Sequence, residues 1–277
     1  MKFRRSERLI DMTHYLLERP RELVPLTFFA ERYSSAKSSI SEDLAIIKET
    51  LENRGVGTLQ TVPGAAGGVK FLVKMSDAHA KLFIEELCEL IAKPDRLLPG
   101  GYLYLADILG SPSIVETAGK IIASAYASAK IDVVMTVATK GIPLAYAVAA
   151  QLNVPLVIVR RDSKVTEGPT VSINYVSGSA KRIQTMLLSK RSLAEGSRVL
   201  IVDDFMKAGG TVVGMVSLLE EFNASVAGIA VLVESEKIEE RLVDEYISLV
   251  QLADVDVKEK RINVKEGNYF KRNGIEG

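Results

Sequence analysis

The chain has 277 residues, of which 47% are hydrophobic and 25% charged, and its 35 basic residues balance its 35 acidic ones. This composition is typical of a globular protein and excludes a low-complexity chain, while zero net charge neither favours nor excludes a nucleic-acid partner. The single cysteine excludes an internal disulfide bond and fits a reducing compartment, so we expect a cytoplasmic location.

Charge is unevenly distributed along the chain. Residues 1–74 carry 12 Lys and Arg against 9 Asp and Glu, a net charge of +3, and the remainder carries −3. The difference favours a basic interaction module at the N-terminus. The most apolar stretch, residues 142–159, is interrupted by Gln151, Asn153 and Pro155, so we expect no membrane span and no membrane partner.

The N-terminal part is predicted to begin with three helices. Ser6 is expected to cap a first helix that ends before Pro20, and a second, short helix covers residues 26–33. Ser38 is expected to cap a third helix, with Gly55 as its stop. The apolar residues of this third helix recur on one face, which indicates packing against the other two.

A β-hairpin is predicted to follow the three helices. The runs 57–62 and 69–74 read as strands, and the Gly-rich segment between them reads as the hairpin tip. Three helices followed by a hairpin is the order of a winged helix-turn-helix domain. We assign this domain to residues 1–74; the alternative is a small helical dimerisation domain with the same pattern.

The start of the third helix carries the candidate DNA contacts. A recognition helix meets the major groove near its N-terminus, where small polar and basic side chains reach base edges and phosphates. The candidates there are Ser35, Lys37, Ser38, Ser39 and Ser41. Further cations that would contact the DNA backbone are Arg32, Lys48, Lys70 and Lys74.

Residues 75–277 are predicted to form a second domain in which strands and helices alternate. Helices are expected over residues 75–92 and 114–129, with Tyr102 between them near a ligand cleft. Two buried strands, residues 131–137 and 155–160, then flank a helix over residues 142–151. This rhythm predicts an α/β fold with a parallel sheet.

A short loop between the first of these strands and the following helix suits an anionic ligand. Its residues are Ala138, Thr139, Lys140 and Gly141. Lys140 is the only charged residue between Asp132 and Arg160, and a lysine and a glycine at the carboxyl end of a strand favour anion binding. Further on, a long polar segment, residues 162–170, precedes a flap strand at 170–175, and residues 183–189 return to the core.

The most informative motif lies at residues 199–211. A buried apolar strand ends in the carboxylates Asp203 and Asp204, followed by Phe205 and then by a loop that opens a helix at about Thr211. The loop residues are Lys207, Ala208, Gly209, Gly210 and Thr211. Glycines and a helix N-terminus suit a phosphate, while two carboxylates suit sugar hydroxyls or a bridging Mg²⁺. A sugar phosphate satisfies both halves of the motif.

This motif resembles the signature of type I phosphoribosyltransferases, which bind phosphoribosyl pyrophosphate (PRPP). The resemblance implies that Asp203 and Asp204 hold the ribose hydroxyls and that residues 207–211 hold the 5′-phosphate. Residues 138–141 match the pyrophosphate loop, and the polar segment 162–170 coincides with the flexible hood. Lys207 and Ala208 depart from the small residue and threonine usual in that family, so a hydroxyl is lost and a cation gained.

Both halves together resemble the purine operon repressors of Gram-positive bacteria. The segments that carry this resemblance are residues 1–6, 36–44, 62–69, 133–143 and 199–211. It implies a homodimer that binds double-stranded DNA at purine operon control regions and represses purine biosynthesis genes. PRPP, with Mg²⁺, would be the effector that relieves repression, guanine nucleotides with two phosphate groups would compete for its pocket, and no tightly bound cofactor or protein metal site is expected.

Two alternatives remain open from the sequence. The chain would be an active purine phosphoribosyltransferase with an accessory N-terminal domain if Phe205 stacks on a nucleobase, although the resemblance implies no enzyme activity. It would be a regulatory subunit without DNA binding if the first 74 residues serve only dimerisation. The operator, its half-site spacing and the dimer interface are not predicted.

Overall fold

The computed structural model describes residues 3–64, 66–162, 168–176, 183–237 and 240–272. Its helices are α1 (Arg5–Leu17), α2 (Leu26–Arg32), α3 (Lys37–Asn53), α4 (Asp77–Ile91), α5 (Ala106–Leu109), α6 (Pro112–Ala125), α7 (Ile142–Leu152), α8 (Gly210–Glu220) and α9 (Tyr269–Arg272). Its strands are β1 (Gly57–Val62), β2 (Gly68–Val73), β3 (Leu97–Leu98), β4 (Tyr102–Leu103), β5 (Val133–Val137), β6 (Leu156–Val159), β7 (Thr170–Val176), β8 (Ile183–Ser189), β9 (Arg198–Met206), β10 (Ser225–Ser235), β11 (Ile247–Asp256) and β12 (Arg261–Glu266).

The N-terminal module has the expected order of α1, α2, α3 and an antiparallel β1–β2 hairpin. Its apolar core includes Met12, Leu16, Phe29 and Ile40, each fully buried. A single bridge between Val24 and Val69 joins the hairpin to the chain before α2. The predicted winged-helix arrangement is therefore present, with its own core.

Both predicted N-caps of this module are wrong. Helix α1 begins after Arg4, whose backbone N–H donates to Glu7 Oε2 at 2.9 Å, so Ser6 lies inside the first turn. Helix α3 begins after Ala36, whose extended backbone places Lys37 in the first turn. Neither start needs a hydroxyl cap. The prediction for Gly55 is confirmed, because this residue follows the helix end with a φ of +63° that favours glycine.

The second domain is built on a six-stranded sheet with the order β12-β11-β10-β9-β5-β6. All neighbouring pairs are parallel except β11 and β12. Successive residues of β9 point to opposite faces: Leu200 and Val202 join one core and Val199 and Ile201 the other. Burial on both faces explains the continuous apolar run in the sequence.

The two faces of the sheet are covered by different elements. Helices α4, α6 and α7 share one apolar core with it, and α8 with the β7–β8 hairpin shares the other. In that hairpin β7 pairs antiparallel with β8, as the flap and its return to the core predict. Most of the polar segment, residues 163–167, lies outside the described residues, as does the turn at 177–182.

Helix α6 ends earlier than the sequence predicts, at Ala125 instead of residue 129. The next residue, Tyr126, donates its hydroxyl to the Ile229 carbonyl at 3.1 Å, and its ring occupies the space that a side chain at Gly228 would fill. Tyr126 therefore anchors the end of α6 on β10. None of the helices in the described part of the chain is long and apolar enough to cross a membrane.

The two domains meet at the end of α6. The Arg21 guanidinium donates from Nη2 to the Ala129 carbonyl at 2.6 Å. Met75, the first residue of the second domain, donates its N–H to Ser124 Oγ at 2.8 Å and so fixes the start of that domain on α6. Strand β2 contributes to both cores, because Phe71 packs in the N-terminal cluster and Val73 in the core beside α4. The N-terminal module is thus attached by apolar and polar contacts as well as by the chain.

Candidate functional site

A cleft of about 610 Å³ lies at the carboxyl ends of the parallel strands, beside the start of α8. This edge is where ligands bind in open α/β sheets. The sequence-predicted residues that line it are Tyr102, Lys140, Asp204, Phe205, Lys207, Ala208, Gly209, Gly210 and Thr211. Sites far apart in the sequence are therefore brought to one cavity of nucleotide size.

The acid pair is split between the cleft wall and the layer behind it. Asp204 lines the cleft, whereas Asp203 is 5% exposed and its Oδ1 accepts a hydrogen bond from the Asp204 N–H at 3.0 Å. Burial, and secondly the charge of Asp204, raise the pKa of Asp203 well above its ordinary value. Burial also raises the pKa of Asp204, against the opposing effects of the hydrogen bond with Asp203 and of the Lys140 charge.

The loop at residues 138–141 packs directly on the acid pair. Lys140 lines the cleft, while Ala138, Thr139 and Gly141 form the backbone next to it. A methyl group added at Gly141 would lie 2.5 Å from both Asp203 Oδ1 and Thr136 Oγ1. Only glycine therefore allows the loop this close approach, which sets Lys140 near Asp204.

The start of α8 forms the second anion-suited loop. Gly209 has a φ of +94° and precedes the first helical residue, Gly210, so the N–H groups of the first turn lie at the cleft. The loop is held from behind by the chain at 241–243. Arg241 Nη1 donates to the Lys207 carbonyl at 2.8 Å and the Leu242 N–H donates to the Ala208 carbonyl at 2.9 Å.

Arg241 is itself fixed by a buried carboxylate. Its Nη2 donates to Glu234 Oε2 at 2.9 Å, and Glu234, 2% exposed, also accepts from Ser248 Oγ at 2.7 Å and from the Tyr246 hydroxyl. This network was not predicted from the sequence. Glu234 is the one carboxylate in an otherwise apolar stretch of β10, and that position was the available signal.

Three further parts of the cleft wall were also missed. Lys237 and Asp254 line it and form an ion pair of 2.7 Å, and Gly100 and Gly101 line it as well. Lys237 follows the end of β10 and Asp254 lies near the end of β11. Because the carboxyl ends of parallel strands share one edge, the strand order would have placed both there had it been known.

The predicted DNA contacts have different surroundings. Lys37 and Ser38 are exposed in the first turn of α3, and Ser39 is half-buried. Ser35 is engaged within the module, because its hydroxyl donates to the Tyr33 carbonyl and accepts from Arg8. Two of the four further predicted cations are paired, Arg32 with Asp11 at 2.9 Å and Lys48 with Glu52 at 3.9 Å. Lys70 lines a cleft between the domains, and Lys74 is exposed.

A carboxylate buried in α3 holds two arginines beside these residues. Asp43 is 0% exposed and accepts hydrogen bonds from Arg5 Nε at 2.9 Å and Arg8 Nε at 2.5 Å. Arg5 keeps half of its side chain exposed. The sequence analysis missed this arrangement, although an aspartate on the apolar face of α3 was a visible signal for a buried ion pair.

Two family models match the chain. Residues 4–73 match the bacterial purine repressor N-terminal domain, and residues 106–266 match the phosphoribosyl transferase domain. The purine biosynthesis transcriptional repressor PurR of Bacillus subtilis is 66% identical over 271 residues, which cover 98% of this chain and 95% of that protein. The chain belongs to the PurR family of purine biosynthesis regulators.

Members of this family differ in the direction of regulation. The PurR protein of Lactococcus lactis, named a purine biosynthesis transcriptional activator, is 50% identical over 267 residues, 96% of this chain and 98% of that protein. A xanthine phosphoribosyltransferase of Lactococcus lactis is 30% identical over 146 residues, 52% of this chain and 74% of the enzyme. The two PurR proteins thus match nearly the whole chain, whereas the enzyme matches about half of it.

The fold has solved counterparts. Adenine phosphoribosyltransferase from Giardia lamblia superposes with a TM-score of 0.54 at 24% identity, covering 62% of this chain and 98% of that one. The likeness confirms the predicted type I phosphoribosyltransferase-like fold of the second domain.

Proposed function

We propose that the protein is a DNA-binding transcriptional repressor of purine biosynthesis genes whose effector is PRPP. One observation carries the proposal: a winged-helix module and a cleft with an acid pair and a Gly-Gly-Thr phosphate loop lie in the same chain. PRPP relieves repression by binding the cleft and weakening the hold on DNA. The chain supplies binding and signalling, and no chemical step.

The cleft suits PRPP in size and chemistry. Asp204 on the wall and Asp203 behind it accept hydrogen bonds from the ribose hydroxyls, and the first turn of α8 donates to the 5′-phosphate. Lys140 faces the pyrophosphate. Each of these positions lies in or directly behind the cavity wall.

Mg²⁺ would enter with the ligand. Within the described residues there is no group of three or more His, Cys, Asp or Glu side chains that could hold a metal ion. Mg²⁺ is commonly held by substrate phosphates with one or two carboxylates instead of a protein cage, and PRPP supplies those phosphates. Guanine nucleotides with two phosphate groups compete for the same donors.

DNA is held by the first turn of α3 in the major groove. Lys37 and Ser38 are exposed there, and the cations Arg5 and Arg8 lie beside them, fixed by Asp43. The hairpin acts as the wing, with Lys74 exposed at its end. A homodimer presents two such modules, so the operator contains two half-sites.

Binding to DNA fragments from purine operon control regions, measured with and without PRPP and Mg²⁺, tests the proposal. We expect specific binding that PRPP weakens, and we expect the double variant Asp203→Ala/Asp204→Ala to bind DNA without responding to PRPP. Equal affinity for control-region and random DNA would contradict the proposal. Stronger DNA binding in the presence of PRPP would support PRPP as the effector but would reverse the proposed direction of regulation.

An active phosphoribosyltransferase is the second candidate, favoured by Phe205 in the cleft wall, where it could stack on a purine. The absent hydroxyl at Ala208 and the N-terminal module favour the regulator. Pyrophosphate release from PRPP, assayed with adenine, guanine, hypoxanthine and xanthine, separates the two. Release that depends on a purine and is lost in Asp203→Ala/Asp204→Ala would establish the enzyme.

A further inference from the structure

A second cleft, of about 290 Å³, lies between the N-terminal hairpin and the turn after α6. Gln60 and Lys70 line it from the hairpin, Arg21 from the segment before α2, and residues 127–130 from the second domain. Gln60 and Lys70 are paired neighbours on β1 and β2. Lys130 closes the opposite side, so cations from both domains surround one small space.

Arg21 is placed in this cleft by an unusual backbone. Its φ is +65°, a left-handed conformation that non-glycine residues rarely adopt, and its N–H donates to the Phe71 carbonyl at 2.7 Å. The guanidinium donates from Nη2 to the Ala129 carbonyl at 2.6 Å, while Nη1 is buried without a hydrogen-bond partner. An unsatisfied buried donor is costly, and an acceptor in the cleft would offset that cost.

The cations of this cleft form no ion pair within the part of the chain that the structure describes. Among the described residues, no ion pair includes Arg21, Lys70 or Lys130. The carboxylate that acts on Arg21 is Asp132, which accepts the Arg198 N–H at 2.8 Å. Three positive side chains therefore line this cavity, and none of its described lining residues is a carboxylate.

We propose that this cleft is a binding site for a small phosphoryl or pyrophosphoryl anion, separate from the cleft at the sheet edge. Arg21 donates from its guanidinium, Lys70 and Lys130 supply charge, and the Gln60 amide completes the shell. These groups are the usual donors to phosphate oxygens. Because its walls belong to both domains, a bound anion would link the N-terminal module to the turn after α6.

Inorganic pyrophosphate and the full-length protein test the proposal. Calorimetry gives the affinity, and hydrogen exchange of residues 126–132 reports on this cleft separately from residues 199–212 at the sheet edge. We expect pyrophosphate to slow exchange in both segments. Lys70→Gln/Lys130→Gln should weaken the binding that protects residues 126–132 roughly tenfold, since two charge-assisted contacts are lost. Protection of residues 199–212 should stay.

The control variant is Lys81→Gln/Lys93→Gln, which removes the same charge from exposed positions on α4 and just after it but not from the cleft. It should bind as the unmodified protein does. Arg21→Gln should also lose protection at residues 126–132, and its melting temperature shows whether it folds. A comparison of phosphate, pyrophosphate and a nucleoside monophosphate as probes shows which kind of phosphoryl ligand the cleft prefers.

Three results would overturn the site. One is unchanged exchange of residues 126–132 with pyrophosphate. Another is equal protection in the test and control variants. The third is a Lys70→Gln/Lys130→Gln variant whose only defect is weaker DNA binding, which would make these lysines DNA contacts. If pyrophosphate protects residues 126–132 but not residues 199–212 of the unmodified protein, the result would count against the sheet-edge site and would support this one.

Discussion

Burial of the Asp203 carboxyl group lowers the stability of the fold, although the proposed PRPP site requires this group. Its pKa is raised because the ionised form is removed from water beside Asp204. In the unfolded chain the Asp203 carboxyl group has its ordinary pKa of 3.8. The group therefore begins to disfavour folding as the pH rises above 3.8, and the penalty is complete above the raised pKa of the folded state. Below 3.8 both states are protonated and the penalty disappears.

Asp203→Asn should therefore raise the melting temperature at neutral pH, since the amide keeps an acceptor for the Asp204 N–H without a charge. The gain should shrink as the pH falls through the raised pKa towards 3.8. The same variant should lose most of its PRPP affinity. Thermal melts across this pH range, with calorimetry for PRPP, check both parts; a variant less stable at neutral pH would contradict the first.

Gly141 determines how closely the loop at residues 138–141 approaches the acid pair. In Gly141→Ala the new methyl group would overlap Asp203 Oδ1 and Thr136 Oγ1, each at 2.5 Å, and both belong to short, buried side chains that cannot swing away. The loop must move, so we expect PRPP affinity to fall at least about tenfold. Calorimetry measures it, and wild-type affinity would show that the loop is not part of the site.

At the scale of elements, the chain at 241–243 supports the phosphate loop. Arg241→Met leaves Glu234 buried without its cation, which should lower the free energy of unfolding by about 2–4 kcal/mol. It also frees the Lys207 carbonyl, so PRPP binding should weaken. The double variant Arg241→Met/Glu234→Gln removes the stranded charge and should recover part of the stability but not the binding. Denaturant unfolding and calorimetry separate these effects.

The first turn of α3 is the element expected to read DNA. Lys37→Ala should weaken binding to purine operon DNA by about 1–3 kcal/mol if the side chain contacts a base, with a smaller loss on random DNA. A loss that is equal on all sequences would restrict Lys37 to phosphate contact. Lys81→Ala, an exposed lysine of α4, is the control and should change neither. Electrophoretic titrations at several salt concentrations provide the comparison.

For residues 1–74 and for β5 to α8, most element types and their order followed from the sequence, because buried parallel strands and glycine-bounded loops leave local patterns. Strands β10, β11 and β12 were not predicted. The acid pair, both anion loops and Tyr102 were proposed in this way, and their role in binding stays a prediction. The sequence could not show that Asp203 lies behind Asp204, that Tyr126 bonds to β10, or that Lys70 faces the second domain. Those facts depend on contacts between distant segments, which no local pattern encodes.

At the scale of the whole molecule, the two domains have separate cores but share strand β2. A chain that begins at Leu72 keeps Val73 in its core and should bind PRPP with near wild-type affinity while losing DNA binding. It also loses the bond from Arg21 to Ala129, so its melting temperature should fall. Calorimetry and DNA titration test this; residual specific DNA binding would show that the winged-helix assignment is wrong.

The turn after α6 touches the N-terminal module at Ala129, which accepts from Arg21, and Tyr126 at its start bonds to Ile229 of β10, the strand next to the one that bears the acid pair. If PRPP lowers operator affinity through this contact, thermodynamic reciprocity requires the operator to lower PRPP affinity by the same factor. A promoter already occupied would then need more PRPP for release than titration of the free protein indicates. The concentration at which the genes respond becomes a property of the protein–DNA complex, and it differs between strong and weak operators in one cell.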